Sequence, residues 1–257
     1  LPIFNARLAE GLQQLAKLFL FVQVRDPETR RKLTPDYTIG CKRVLISNEY
    51  YPTFNRENVD LVTDKIREFR ENSIVMESGK EIPADCVILG TGFLTDPRSY
   101  LGNFEIRGRD GLLLLDAWRD LPEAYLGITV PRFPNMFQLI GPNSGLGHNS
   151  MIFMIEAQVH YILRAIEAMR ARGADSVEIS EAATKRFGEE VEEALKGTVW
   201  ASGCVSWYQE AGGGRNIAIW PYSTIRYWWR TRRINPADHI FSKASVRTPV
   251  EAAAAVS

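Results

Sequence analysis

The sequence predicts an α/β protein, and three observations carry that prediction. The stretch Met136–Gly147, MFQLIGPNSGLG, reads as a short apolar strand that breaks at Gly141-Pro142 into a glycine-rich turn. A long apolar segment with helical spacing follows at once, from near Ser150. Cys86-Val87-Ile88-Leu89 is a second apolar run, of the kind buried on both faces of a sheet, and it stops at another glycine turn, Gly90-Thr91-Gly92.

Taken in order, Leu8, Leu12, Leu15, Leu18, Phe19 and Val22 fall at three- and four-residue steps and predict an amphipathic helix ending before Asp26-Pro27. A short helix is predicted from Pro27 to Lys32, then a loop over Leu33–Tyr37. Gly40-Cys41-Lys42-Arg43 leads into a predicted strand, Val44–Ser47. The segments VDLVT, KIREF and SIVM, with the turn Ser78-Gly79-Lys80 before Glu81-Ile82, predict an antiparallel meander. In the helix Ser150–Arg170 the stripe Ile152, Ile155, Val159, Ile162, Ile166 and Met169 is expected to face the core, with Gly173 as the stop. A further helix spans Glu181–Lys196. Beyond it the chain is irregular and aromatic; Trp228 and Trp229 read as covers of the core, and Ser242–Ser257 is expected to fray. No internal repeat is evident.

At 257 residues, 45% hydrophobic and 24% charged, the chain suits one large or two ordinary globular domains. Its 31 basic and 31 acidic residues cancel, so no long-range field favours nucleic acid or an anionic membrane. Cys41, Cys86 and Cys204 are far apart, odd in number and without a C-x-x-C pair, which indicates neither a disulfide framework nor a metal site and fits the cytoplasm. Leu12–Val24 contains Gln13, Gln14, Lys17 and Gln23 and is too short to span a bilayer, and no signal peptide is read. The chain opens on Leu1 in a helix-like segment, so a piece of a longer polypeptide is expected.

A strand, a glycine turn and a helix N-terminus together form a cradle for something negatively polarised, because a helix's first turn presents unpaired N–H groups and the positive end of its dipole. Gly145-x-Gly147-x-x-Ser150 comes close to the dinucleotide pattern G-x-G-x-x-G, but its third position is serine and no acidic residue closes a following strand. It therefore reads equally as an ordinary strand-to-helix turn. Lys42-Arg43, taken alone, reads as a solvated pair.

Four motifs in order are more specific: Gly40-Cys41-Lys42-Arg43, Asp85–Phe93 (DCVILGTGF), Pro134–Pro142 (PNMFQLIGP) and Ser206-Trp207-Tyr208. From about Asp26 to Tyr222 the chain resembles the C-terminal half of class B flavoprotein monooxygenases, most closely the Baeyer–Villiger monooxygenases. The resemblance implies an incomplete FAD/NAD(P)-binding flavoprotein fold. Residues 1–47 would end an NADPH-binding segment, 48–173 would form the C-terminal part of an FAD-binding domain, and 174–257 a helix with an aromatic extension. It implies FAD and NADPH as cofactors, and insertion of one atom of O2 into a ketone through a C4a-peroxyflavin. Oxidation of sulfur or nitrogen by the same flavin is the alternative within this chemistry. A truncated, non-catalytic binding remnant, sticky where its missing half should pack, is the alternative outside it.

The resemblance also implies roles. Arg43 would lie beside the flavin and steady an anionic intermediate, a task for which a guanidinium that keeps its proton is suited. Lys42 would meet the 2′-phosphate of NADPH. Gly90, Thr91 and Gly92 would pass close to a bound dinucleotide, with Gly90 in place of the family's alanine, while Phe93 reads as core. Asn149, Ser150 and Met151 would neighbour the flavin at the helix N-terminus, beside His148, which is able to titrate near neutral pH. Trp207 would fold over the nicotinamide ribose. His160 and His239 attract no functional reading. The chain also departs from the family: it has no G-x-G-x-x-G, no F-x-G-x-x-x-H-x-x-x-W and no first-half catalytic aspartate. The residues gripping both pyrophosphates are expected upstream of Leu1.

Overall fold

A computed structural model of the chain describes residues 4–102, 105–203, 205–210 and 214–243. Most of the tail expected to fray, together with Cys204, lies outside the described residues. The chain divides into two compact units, one of Arg7–Ile39 with Leu45–Phe93, the other of Leu1–Ala6, Gly40–Val44 and Leu94–Ser257.

In the first unit, α1 (Ala6–Gln23) and α2 (Pro27–Leu33) follow the periodicity and the Asp26-Pro27 signal. Asp26 accepts the Thr29 N–H at 2.7 Å and Pro27 occupies the first turn, where its missing N–H costs nothing. The Arg30 guanidinium donates to Val24 O and Arg25 O in the link between the helices, each at 2.8 Å, and Asn55 Nδ2 donates to Gln23 O at 2.7 Å, which satisfies the last carbonyl of α1. The stripe on α1 is nevertheless largely uncovered, with Leu15 64% and Val22 71% exposed. After α3 (Tyr50–Thr53) comes the expected meander, β1 (Ile66–Phe69), β2 (Ser73–Met76) and β3 (Glu81–Pro83), paired antiparallel with Phe69 opposite Ile74 and Ile74 opposite Ile82. Gly79 turns the chain between β2 and β3 at φ +87°, a conformation glycine adopts without strain. VDLVT stays outside the ladder.

Two expected strands do not form. Val44–Ser47 and Cys86–Leu89 have no ladder partner among the described residues, and their apolar side chains face outward, Ile46 at 98% and Ile88 at 92% exposure. A strand exists by pairing its backbone with another, so an apolar, β-branched run without a partner remains irregular. Phe93, expected in the core, is 87% exposed for the same reason.

The second unit contains α4 (Pro97–Leu101), α5 (Leu114–Ala117), α6 (Met151–Ala171), β4 (Ser176–Ile179), α7 (Glu181–Leu195), α8 (Thr224–Thr231) and β5 (His239–Ser242). Leu101, Leu114, Trp118, Ala124, Val130 and Phe133 form one core cluster. α6 starts at the Ser150 cap and stops before Gly173 at φ +58°, as its sequence dictates, but its buried face differs from the predicted stripe. Met154, Ala157, Gln158, Tyr161 and Ala165 are buried, while Ile152 is 64% exposed. A helix apolar on two faces does not state which one is covered. α8 and β5 arise from the stretch that reads as irregular, and β5 pairs with β4, with Ile179 opposite His239. Trp228 and Trp229 are exposed rather than covering the core.

The predicted strand before Gly141 is also absent, and a loop held by side-chain hydrogen bonds stands in its place. Ile140 has φ +55°, rare for a β-branched residue, and Gln158 on α6 accepts its N–H at 2.9 Å. Gln158 Nε2 donates to Tyr227 Oη at 2.9 Å, and the Tyr227 hydroxyl donates to Leu126 O. One buried side-chain chain therefore ties loops 126 and 140 to α6 and α8. Gly127, at φ +66°, lies so close to Ser144 that a Cβ would meet its Oγ at 2.5 Å, which locks the two loops together.

Cys41 is buried and disulfide-bonded and Cys86 is a free, exposed thiol, correcting the expectation of no disulfide, since sequence spacing does not report distance in space. Among the described residues there is no metal-ligating cluster and no helix long and apolar enough to cross a membrane.

Candidate functional site

The site is centred on residues 147–151 of the second unit, where a glycine-rich turn enters α6. Ser150 Oγ accepts the Phe153 N–H at 3.4 Å and Asn149 Oδ1 accepts the Ser150 N–H at 2.8 Å. The N–H groups of Met151 and Ile152 have no acceptor among the described residues, as the first turn of a helix requires. Asn149 Nδ2 donates to Thr224 Oγ1 at the start of α8 at 3.0 Å, which fixes the turn against a second helix. Asn149 and Ser150 are exposed and Met151 is half-buried.

Behind this turn lies a group of buried polar atoms without hydrogen-bond partners among the described residues: both ring nitrogens of His148, Trp200 Nε1 and Tyr208 Oη. They converge on Gly147, where a Cβ would stand 3.4 Å from Tyr208 Oη and 3.5 Å from Trp200 Cζ2. Phe4 packs edge-on against His148 and Trp200, with ring centroids at 5.0 and 6.0 Å. Burial lowers the His148 pKa, so its imidazole is neutral at pH 7, with one nitrogen able to donate and the other to accept. That disfavours a general acid at this position. Four unpaired buried atoms beside an open helix terminus leave hydrogen-bonding capacity that only a bound group or water can fill.

Tyr208 joins this region to Trp207. The two rings lie 5.7 Å apart, Trp207 is 47% exposed, and its carbonyl accepts the Thr95 hydroxyl at 3.0 Å. The structure thus brings Asn149, Ser150 and Met151 together with Trp207 through Gly147 and Tyr208. Lys42 and Arg43 belong to the same unit and are exposed, and Arg43 makes no ion pair among the described residues. The segment after Arg43 is not a strand, so Arg43 does not sit at a strand mouth. Gly90, Thr91 and Gly92 belong to the other unit, exposed and open: a Cβ at Gly90 or Gly92 meets nothing, and only φ +84° at Gly92 calls for glycine. Trp200, Thr224 and Thr95 carried no sequence signal, because their roles depend on contacts across tens of residues. Tyr208 lay inside a quoted motif, and its buried hydroxyl was the missed feature.

The residues around α6 fit the negatively polarised edge of a flavin, which an open helix N-terminus and a neighbouring asparagine suit. The glycine turn of the first unit leaves its backbone accessible but shows no further sign of a ligand.

No protein-family profile matches the chain. A Baeyer–Villiger monooxygenase of Pseudomonas aeruginosa is 43% identical over 240 residues, 92% of this chain and 45% of that protein. Among solved structures, OTEMO in complex with FAD and NADP superposes with a TM-score of 0.80 and 28% identity over 93% of this chain and 46% of its own. Cyclohexanone-bound cyclohexanone monooxygenase superposes with a TM-score of 0.78 and 27% identity, covering 92% of this chain and 44% of that one. The chain spans under half the length of these proteins. It belongs to the Baeyer–Villiger monooxygenase family and carries part of that family's FAD/NAD(P)-binding flavoprotein fold.

Proposed function

We propose that this chain is part of an FAD- and NADPH-dependent monooxygenase that inserts one atom of O2 into a ketone. The observation that carries this reading is the open N-terminus of α6 flanked by unpaired His148, Trp200 and Tyr208 atoms, in a chain 43% identical to a Baeyer–Villiger monooxygenase. The relatives bound to FAD, NADP and cyclohexanone support the choice of cofactors and of a ketone. Bound flavin, reduced by NADPH, supplies the activated oxygen.

The chain's own residues hold and shield. Met151 and Ile152 N–H groups, with Asn149 and Ser150, orient the flavin's electron-rich edge at the positive end of α6. Gly90, Thr91 and Gly92 admit the dinucleotide backbone, Lys42 meets the NADPH phosphate, and Trp207 lays its exposed indole over the nicotinamide side to exclude water. Arg43, exposed and without an ion pair among the described residues, would be the cation that stabilises negative charge developing when flavin is bound. Residues 1–47 serve as the end of an NADPH-binding segment, 48–173 as FAD domain and 174–257 as the aromatic extension. The uncovered apolar runs at Val44–Ile46 and Val87–Leu89, irregular here, are the segments that would pair with the portion of the relatives' fold this chain does not span.

Joining the chain to the remaining portion of the Pseudomonas protein tests the reading. Ketone-dependent NADPH oxidation with ester formation is expected, and Arg43→Ala should lower the rate at least about a hundredfold, the scale of losing one preorganised electrostatic contact. An Arg43→Ala chimera that forms ester at the unsubstituted rate removes Arg43 from the chemistry.

A further inference from the structure

Next to the site, and sharing Trp200 with it, the second unit holds a cavity of about 220 Å³ lined by α7, Gln209 and Gly214–Ile217. Its floor is apolar, formed by Phe187, Val191, Leu195 and Ile217. Its charges are balanced: Glu192 pairs with Arg215, and Lys196 with Glu193 at 2.5 Å. Two polar groups on the wall are open to a ligand. Glu123 is exposed and its carboxylate makes no protein hydrogen bond or ion pair among the described residues; it lies beside α7, where a Cβ on Gly188 would stand 3.2 Å from its Oε1. Asn216 Oδ1 accepts the Ala218 and Ile219 N–H groups at 3.2 and 2.9 Å, which fixes the side chain and leaves Nδ2 buried without an acceptor.

A carboxylate with room for a donor and a buried N–H group lacking an acceptor, over an apolar floor and between balanced charges, define a complementary ligand. We propose that this cavity binds a small primary carboxamide on an apolar ring or chain, its NH2 donating to Glu123, its carbonyl accepting from Asn216 Nδ2, and its body on Phe187, Val191 and Leu195. The volume falls below the roughly 300 Å³ at which drug-sized sites begin, so a fragment enters and a dinucleotide does not. Partial burial raises the Glu123 pKa against the opposing pull of the Arg215 charge.

Titration of the methyl-labelled chain with benzamide, benzoate, benzylamine and NADP⁺, followed by NMR at Val191, Leu195 and Ile217, tests the proposal. Benzamide should shift these methyls saturably and bind tightest. Glu123→Ala should weaken it about tenfold, the effect of losing one hydrogen bond to a charged group. Gly188→Leu, which improves helix propensity while filling the cavity, should abolish the shifts. Absence of saturable benzamide shifts, equal or tighter binding of benzoate or benzylamine, shifts of the same methyls by NADP⁺, or undiminished binding in Gly188→Leu would each overturn it. Should Gly188→Leu fail to fold, Glu123→Ala on the exposed wall decides alone.

Discussion

The two units treat the same kind of residue in opposite ways. In the unit built on α6, α7 and α8, Trp220, Tyr161 and Tyr227 are fully buried, and their rings stack or meet edge-on with neighbours such as Phe187. In the other unit, Leu15, Val22, Ile46 and Ile88 face outward. Both stretches have sequences suited to burial. The difference teaches that an apolar pattern reports what a segment can bury, and that a second complementary surface decides whether it does.

The sharpest way to break this contrast is to truncate one large residue in each unit. Trp220→Ala should cost about 3–5 kcal/mol in urea unfolding, because the site is enclosed and cannot collapse. Ile88→Ser should stay within about 0.5 kcal/mol and reduce self-association of the isolated chain. If the two substitutions cost the same, residues 86–89 are buried and the contrast is void.

A smaller effect is expected from the polar network that sets the loop before the site. Gln158→Leu keeps the volume but leaves the Ile140 N–H and the Tyr227 hydroxyl each short of a partner. A loss of about 1–3 kcal/mol is expected, with amide exchange at Ile140 accelerating ahead of global unfolding. Exchange at Ile140 that follows only global unfolding would show that backbone contacts, not Gln158, hold the loop.

This network also marks the limit of what the sequence discloses. α1, α2, α7, the β1–β3 meander and both ends of α6 follow from local signals: Asp26-Pro27, Ser150, Ser180, Gly79 and Gly173 act within a few residues. The strand expected before Gly141 fails because Gln158, eighteen residues on, captures the Ile140 N–H in a left-handed turn. The runs at Val44 and Cys86 fail for want of a partner backbone. At the candidate site, the resemblance pointed to Asn149, Ser150 and Trp207, which the fold places in one region. The unpaired atoms of Trp200 and Tyr208 were not, since burial and pairing are properties of distant chain segments.

Acid should distinguish the units further. His239 is buried on the β4–β5 ribbon, its Nδ1–H donating to Asn235 O at 2.7 Å and its Nε2 accepting from the Tyr161 hydroxyl at 2.6 Å. Burial lowers its pKa below the ordinary value near 6.5, so the folded state prefers the neutral ring and the unfolded state binds protons more readily. Stability from this group is present above about pH 6.5 and is lost as pH falls through the folded pKa. His148 shifts in the same direction, so His239→Gln should flatten the acid limb of a stability–pH curve only in part. An unchanged curve would remove His239 from the account.

The smallest stability effect is expected at the site itself. The Tyr208 hydroxyl is buried beside Gly147 and unpaired among the described residues, so Tyr208→Phe removes an orphan instead of breaking a bond. The change should lie within about 0.5 kcal/mol, or stabilise slightly, because deleting an unsatisfied polar group returns its desolvation penalty. The chimera with the rest of the Pseudomonas protein should respond differently. If His148, Trp200 and Tyr208 are unpaired because a bound group completes them, Tyr208→Phe there should weaken flavin retention while leaving the melting of the isolated chain untouched. A loss of isolated-chain stability well beyond 0.5 kcal/mol would instead mean that ordered water already pairs the hydroxyl. The cluster would then be part of the core, like the Gln158 network, and the region facing α6 would join the unit that is complete without a ligand.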